Sequence, residues 1–429
     1  MARLTDLSDE LIVEIISYLT PHQRASFMNG QPFYHWPEQL DKHNEAIMAS
    51  IQDLQALSTA CRRLYLIATE ALYDYIPLSS NAERSEKLIS TLDNNEDLTV
   101  YVRCVDVDVK RYGGMLQFTS LFWLPNVHTI SIRGFDLWEP WEWEDDAHVG
   151  ASPVQVLRLL ECGAHEKPLT QMLSFPKALR ELWYEVNQVE WDGHYGDNDA
   201  PGFTCAAVER AMANQVGSLE KVVFTRPTPD HEGIGYEDQL DVRQYERLKV
   251  LHVNQVFLTS LEPDVPVWEH LPKSLEELEV YYDDMGHIKI LEDDADRPDW
   301  LFGMLERMAK PDEKGVRGDF TPLLERVRII SLEWHPEMYE ESEEEEDDEE
   351  DENAAPATAG EPDVEIDESR GVGHPGSTWL PPRELIQKFI RAGVSFSIFL
   401  HGQRRYRYTV EGGRGFQDKW EDVLEELGE

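Results

Sequence analysis

LPKSLEELEV, residues 271–280, sets Leu275, Leu278 and Val280 in the order apolar, two others, apolar, one other, apolar. The alternating half of that unit reads as a short strand with one buried face. The same unit stands at Val127–Ile130–Ile132, Leu179–Leu182–Tyr184, Leu219–Val222–Phe224, Leu248–Leu251–Val253 and Val327–Ile330–Leu332. Val105–Val107–Val109 ahead of the series and Val394–Phe396–Ile398–Leu400 behind it read as further strands. Several units open on a turn residue, as in LPNVHTI, FPKALREL and GSLEKV. Between them VQVLRLLECG, AAVERAMANQ and DWLFGMLERMA have helical character. Strand, loop and helix in alternation predict an α+β or α/β fold.

Units of this kind can stack, each burying its face on the next, and the order apolar, two others, apolar, one other, apolar is that expected in a leucine-rich repeat solenoid. The central residues lie 52, 40, 29, 27 and 52 apart, against about 20–29 in a regular array. The solenoid expected here is therefore irregular, with long loops. An ordinary α/β domain with a parallel sheet is the alternative.

Working outward, two apolar stripes at helical spacing occupy the N-terminal eighty residues. In LTDLSDELIVEIISYL, Leu7, Leu11, Ile15 and Leu19 share a face, with Ile12 and Ile16 beside it. In IQDLQALSTACRRLYLIATEALYDYIPL, Leu54, Leu57, Cys61, Leu64, Tyr65, Ala68 and Leu72 recur at steps of three and four. Two helices so patterned must bury one face each, against the rest of the chain or against another protein.

This pair resembles an F-box, the module that docks substrate receptors on a Skp-type adaptor in cullin–RING ubiquitin ligases. Leu7, Glu10, Leu11, Ile15, Tyr18 and Leu19 carry the first half of the resemblance. Asp53, Leu54, Leu57, Ser58, Cys61, Arg62, Leu64, Ala68, Leu72 and Tyr73 carry the second. Where the family has Leu-Pro this chain has Leu7-Ser8, and residues 22–50 form an insertion holding Pro32, Phe33, Trp36 and Pro37. EHLPKSLEELEV is similar to a repeat of fungal F-box proteins with irregular leucine-rich repeats. The resemblance implies a helical module over 1–80, repeats over 81–339 and a last repeat with a cap over 379–429. It also implies adaptor contacts through Leu7, Leu11, Ile15, Leu19, Leu54, Leu57 and Leu64. Catalysis would then belong to other subunits, and this chain would contribute proximity.

Charge narrows the partners. The net charge is −45, and residues 340–368 hold 17 acidic residues and no Lys or Arg. The remaining chain still has 67 acidic against 39 basic residues, so phosphate backbones are repelled and direct nucleic-acid binding is not expected. The segment 340–378 has too little apolar surface to fold and is expected to be a disordered insertion. Ser342 stands among its glutamates as a candidate phosphate acceptor. Cys61, Cys104, Cys162 and Cys205 lie too far apart for a CxxC zinc knuckle. No secretory leader and no membrane-spanning run is evident, which suggests cytosol or nucleus with reduced thiols.

No GxSxG, HExxH or GxxxxGK[ST] motif occurs, so no catalytic residue, metal or cofactor is expected. WDGHYGDNDAPG lacks the ligand order of a calcium loop, GGRG at 412–415 reads as a turn, and RRYRY at 404–408 as an edge strand. Loops carry the better candidate. Residues 136–152 hold Trp138, Trp141 and Trp143 beside Glu142, Glu144, Asp145 and Asp146, without one base. That is the composition of a hot spot for a basic or aromatic-rich partner. The alternative is that the tryptophans fold back to cap the repeats. The function expected is substrate recognition in a ubiquitin ligase. The rival is an acidic scaffold that binds basic proteins and recruits no ligase.

Overall fold

The computed structural model describes residues 7–19, 37–78, 82–109, 118–137, 148–164, 166–186, 204–225, 239–258, 267–282, 323–331, 393–400 and 405–408. The chain divides into two compact units, residues 1–279 with 319–324, and residues 280–318 with 325–429.

Among the described residues the first unit begins with α1 (Asp9–Ser17), α2 (Pro37–Ala60) and α3 (Arg62–Asp74). Pro37 suits the first turn of α2, where its missing N–H has no helical acceptor to lose. The second half of the segment 22–50 thus lies in α2. The stripe over 51–78 is cut at Cys61, whose extended backbone (φ −163°, ψ 161°) separates α2 from α3. Its last four residues leave the helix as strand β1 (Tyr75–Leu78). Pro77 removes one ladder N–H, and β1 tolerates it as the first strand of the sheet, paired with β2 alone.

After two short helices, α4 (Ala82–Asn94) and α5 (Glu96–Thr99), the sheet continues. It comprises β2 (Cys104–Asp108), β3 (Thr129–Arg133), the two-residue β4 (Asp136–Leu137), β5 (Val156–Ala164), β6 (Glu181–Val186), β7 (Lys221–Thr225) and β8 (Val250–Asn254). Helix α6 (Glu166–Ser174) lies between β5 and β6, α7 (Cys205–Met212) between β6 and β7, and α8 (Gln255–Leu258) follows β8. The ladder runs β1-β2-β3-β5-β6-β7-β8 with every pair parallel, and β4 pairs β5 off that path. The fold is thus of the α/β type, within the α+β or α/β class expected from the sequence, and its sheet is parallel over these strands.

The register explains the pattern. Ile76, Val105, Ile130, Leu157, Leu182, Val222 and Leu251 stand opposite one another across seven strands. Two residues on, Leu78, Val107, Ile132, Leu159, Tyr184, Phe224 and Val253 form a second row on the same face. Three residues before Val105, Ile130, Leu157, Leu182, Val222, Leu251 and Leu278 stand Val102, Val127, Val154, Leu179, Leu219, Leu248 and Leu275, and all these side chains are buried. The aromatics of the second row stack onward, Tyr184 on Phe224 at 5.9 Å and Phe224 on Phe257 at 4.2 Å between ring centroids.

One expectation is corrected by this register. VQVLRLLECG is not a helix but contains the start of β5. A run apolar at nearly every position fits a buried strand as well as a helix, and here the strands on both sides decide. With Val105 and Leu157 in place, the central residues Val105, Ile130, Leu157, Leu182, Val222, Leu251 and Leu278 are 25, 27, 25, 40, 29 and 27 apart. The first of the 52-residue steps thus contained an overlooked strand, and the 40-residue step and the long last one remain. In the last unit Leu324, Val327 and Ile329 are buried, while the Ile330 side chain and Leu332 lie outside the described residues.

A repeated backbone device ties each unit to its predecessor. The carbonyl of Arg103 accepts the N–H groups of His128 and Thr129, that of His128 those of Gln155 and Val156, and that of Gln155 those of Arg180 and Glu181. Arg180, Glu220 and Lys249 repeat it for the next three strand starts, all at 2.7–3.1 Å. The ends of the strands therefore leave no donor wanting at the corner.

Gln215 braces the longest spacing. Buried in the connection before β7, its amide donates to the carbonyls of Leu173 (2.8 Å) and Pro176 (3.0 Å). Its oxygen accepts from the Leu179 N–H (2.9 Å) and the Ser218 hydroxyl (2.8 Å). Gln215→Ala strands several buried polar groups and is expected to cost about 3 kcal/mol, read as a lower midpoint in urea.

In the second unit β10 (Arg326–Ser331) and β11 (Ser395–Leu400) are parallel, and β12 (Arg405–Tyr408) is antiparallel to β11. RRYRY thus contributes a terminal strand, as expected. DWLFGMLERMA, WDGHYGDNDAPG, GGRG, the acidic segment 340–378 with Ser342, and the C-terminal FQDKWEDVLEELGE lie outside the described residues.

Candidate functional site

Two surfaces merit attention, the helical hairpin and the polar face of the sheet. In the hairpin, Ile12 and Ile16 of α1 meet Leu54 of α2 and Leu64, Ala68 and Ala71 of α3 in one buried cluster. Leu7, Leu19, Leu57, Cys61 and Leu72 pack around it, partly buried. The docking residues expected from sequence therefore separate. Leu54 and Leu64 are interior and hold the helices together. Leu7, Leu19 and Leu57 are half-hidden, while Leu11 and Ile15 are 48% and 40% exposed. Tyr18 is 67% exposed, and its spacing of three from Ile15 puts it on the same stripe. On α3, Tyr65 and Leu66 are exposed as well. The apolar stripe of α1 is wider than one core contact needs: its Ile12–Ile16 edge is satisfied inside, and its Leu11–Ile15–Tyr18 edge faces outward.

The hairpin is braced at its start. The Arg63 guanidinium donates to the Asp9 carboxylate (2.7 Å) and to the backbone carbonyl of Leu7 (2.8 Å).

The sheet face opposite the apolar rows carries charge. Arg158, Trp183 and His252 occupy equivalent positions on β5, β6 and β8. The Arg158 guanidinium lies 5.3 Å and the Lys221 ammonium 4.5 Å from the centroid of the Trp183 ring. Burial pushes the Lys221 amine below its usual range, and Arg158 adds to the shift; Glu181, Glu279 and Glu277 oppose it. Beyond β8 comes β9 (Glu277–Tyr282). His252 places Nε2 3.2 Å from Glu277 and Nδ1 3.4 Å from Glu279. Among the described residues this is one group of three side chains that could converge on a metal ion. Both imidazole nitrogens already face carboxylate oxygens, so the group is equally well read as a charge cluster closing the face.

At the other end of this face the Tyr75 hydroxyl donates to Asp106 at 2.9 Å. Burial holds the Asp106 carboxyl above its ordinary range and Asp108 adds to this, while Tyr75, Arg133 and Arg158 pull it back. A carboxyl whose pKa is raised by folding favours the fold below its unfolded value of 3.8, and that contribution is lost as pH rises through the folded value. Asp106→Asn keeps an acceptor for Tyr75 and removes the buried charge. It is expected to raise the unfolding midpoint at pH 7, with the gain vanishing as wild type is acidified toward its unfolded pKa. Melting curves across pH check this. Burial similarly pushes the Cys104 thiol up to about 12, which makes it a poor nucleophile. All four cysteines are free.

Trp138, Trp141, Trp143, Glu142, Glu144, Asp145 and Asp146 lie outside the described residues. At the end of their loop, His148 stacks on Trp123 at 4.5 Å, and Trp123 meets Phe175 edge-on at 5.3 Å. The Arg158–Trp183–Lys221 cluster was missed in the sequence. Its signal was there: these are the residues flanking or between the apolar positions of each unit, where strand alternation directs side chains to the opposite face. Among the described residues no helix is long and apolar enough to cross a membrane. No known protein family matches the sequence, and no curated protein matches it either.

Proposed function

We propose that this chain is a non-catalytic substrate receptor of a cullin–RING ubiquitin ligase, acting in the cytosol or nucleus. Its N-terminal hairpin is an F-box-like module that docks a Skp-type adaptor, and its parallel sheet is an irregular leucine-rich repeat solenoid that carries the substrate. The observation that carries this reading is the outward edge of α1: Leu11, Ile15 and Tyr18 stay exposed although Ile12 and Ile16 already anchor the helix. An apolar stripe that its own fold leaves uncovered fits an obligate partner. The three-row register of the sheet supports the repeat reading, with spacings of 25–29 residues at all but one of the steps between β2 and β9.

The docking set is narrowed accordingly. Leu11, Ile15 and Tyr18 would contact the adaptor directly, with Leu7, Leu19 and Leu57 at the margin. The substrate would be a basic protein met by the acidic, tryptophan-rich loop at 136–152. The test is co-purification with the tagged full chain from eukaryotic cells. Recovery of a Skp-type adaptor and a cullin is expected. Recovery of basic proteins with neither would favour the acidic-scaffold reading instead.

A further inference from the structure

Helix α1 spans only nine residues, too few to persist alone, so its position depends on what it docks against. Two buried isoleucines grip its middle and end, Ile12 and Ile16. Its beginning is held less firmly, by the partly buried Leu7 that precedes it. Ser8 sits at the N-cap position without a side-chain capping hydrogen bond. Into this gap α3 sends Arg63. Its Nε–H donates to Asp9 Oδ1 at 2.7 Å and a terminal N–H donates to the Leu7 carbonyl at 2.8 Å, across more than fifty residues of sequence. A cation at a helix N-terminus is of the wrong sign for the helix dipole. Its place there depends on Asp9 and on the Leu7 carbonyl, and a guanidinium suits both because its donors form a fixed fork.

We infer that Arg63 is the positioning residue of the docking surface: it fixes the angle at which α1 presents Leu11, Ile15 and Tyr18 to the adaptor. This rests on the adaptor-docking reading above. The clamp is solvent-exposed on both sides, 39% for Arg63 and 66% for Asp9, so it adds little to global stability. Its effect falls on a local equilibrium, α1 seated or α1 frayed, and only the seated form displays the stripe in one rigid arrangement. Binding is weakened by the fraction of molecules in which α1 is unseated.

The experiment uses the purified full chain and a purified Skp-type adaptor, with binding kinetics and amide hydrogen exchange measured on wild type, Arg63→Met, Arg63→Lys and Asp9→Asn. Arg63→Met should weaken adaptor binding about threefold, the scale that one exposed ion pair can supply. Without adaptor it should speed exchange of the amides of residues 9–17, leaving sheet amides and the global unfolding midpoint unchanged. Arg63→Lys should recover part of the affinity through Asp9, and Asp9→Asn should show a smaller loss without touching α3. Arg63→Met that binds like wild type overturns the positioning role while the docking reading stands. A wild type that binds no adaptor defeats the docking reading instead. Exchange over 9–17 that does not change in Arg63→Met also overturns the clamp.

Discussion

Leu54→Asp is expected to unfold the N-terminal hairpin, while Leu11→Asp on the same apolar pattern leaves it folded. Leu54 is fully buried among Ile12, Ile16, Leu64, Ala68 and Ala71. An aspartate there loses the packing of the leucine and must either bury a charge or take up a proton, a combined cost of about 4 kcal/mol or more. That is a large share of the roughly 5–15 kcal/mol holding a typical domain together. Leu11 is half in solvent, and its replacement should change stability by about 1 kcal/mol or less. Circular dichroism and urea unfolding of the two variants check the contrast. Equal losses in both would mean that α1 seats the opposite edge inward.

The second large effect is expected in the sheet. Leu157 is fully buried, at the centre of its row, with Ile130 on one side and Leu182 on the other. Leu157→Ala opens a cavity that parallel neighbours on both flanks cannot collapse into, and about 3–4 kcal/mol should be lost. Leu66→Ala on the exposed side of α3 serves as control, with a change within about 0.5 kcal/mol. Denaturant unfolding of both variants decides. A small loss at Leu157 would deny that the rows form a continuous packed core.

The difference between these two sites also says what the sequence could and could not reveal. Units such as Leu248–Leu251–Val253 were legible because alternation within a strand and a fixed three-residue offset both leave marks in the sequence. VQVLRLLECG was misread because a strand buried on both faces has no alternation to read. Only pairing with β3 and β6 assigns it. The helical stripe of α1 was legible as a stripe, but not which edge would face inward. Leu7, Leu11, Ile15 and Leu19 form as good a helical face as Ile12 and Ile16, and the choice depends on what α2 and α3 bring opposite. Leu54 and Leu64 were likewise recognisable as apolar helix positions, yet periodicity cannot distinguish a side chain that holds the module together from one that docks a partner. The cluster of Arg158, Trp183 and Lys221 needed the register itself, since these residues come together only when three strands align.

The central claim is tested most directly by isothermal titration of the purified full chain with a purified Skp-type adaptor, alongside a Leu11→Asp, Ile15→Asp variant whose folding is verified. Wild type should bind one adaptor with a Kd of about 1 μM or tighter, and the variant should lose about 100-fold or more, because two exposed anchors become charges that cannot be desolvated. Absence of binding by wild type, or equal binding by the folded variant, would contradict the assignment of α1 as a docking surface.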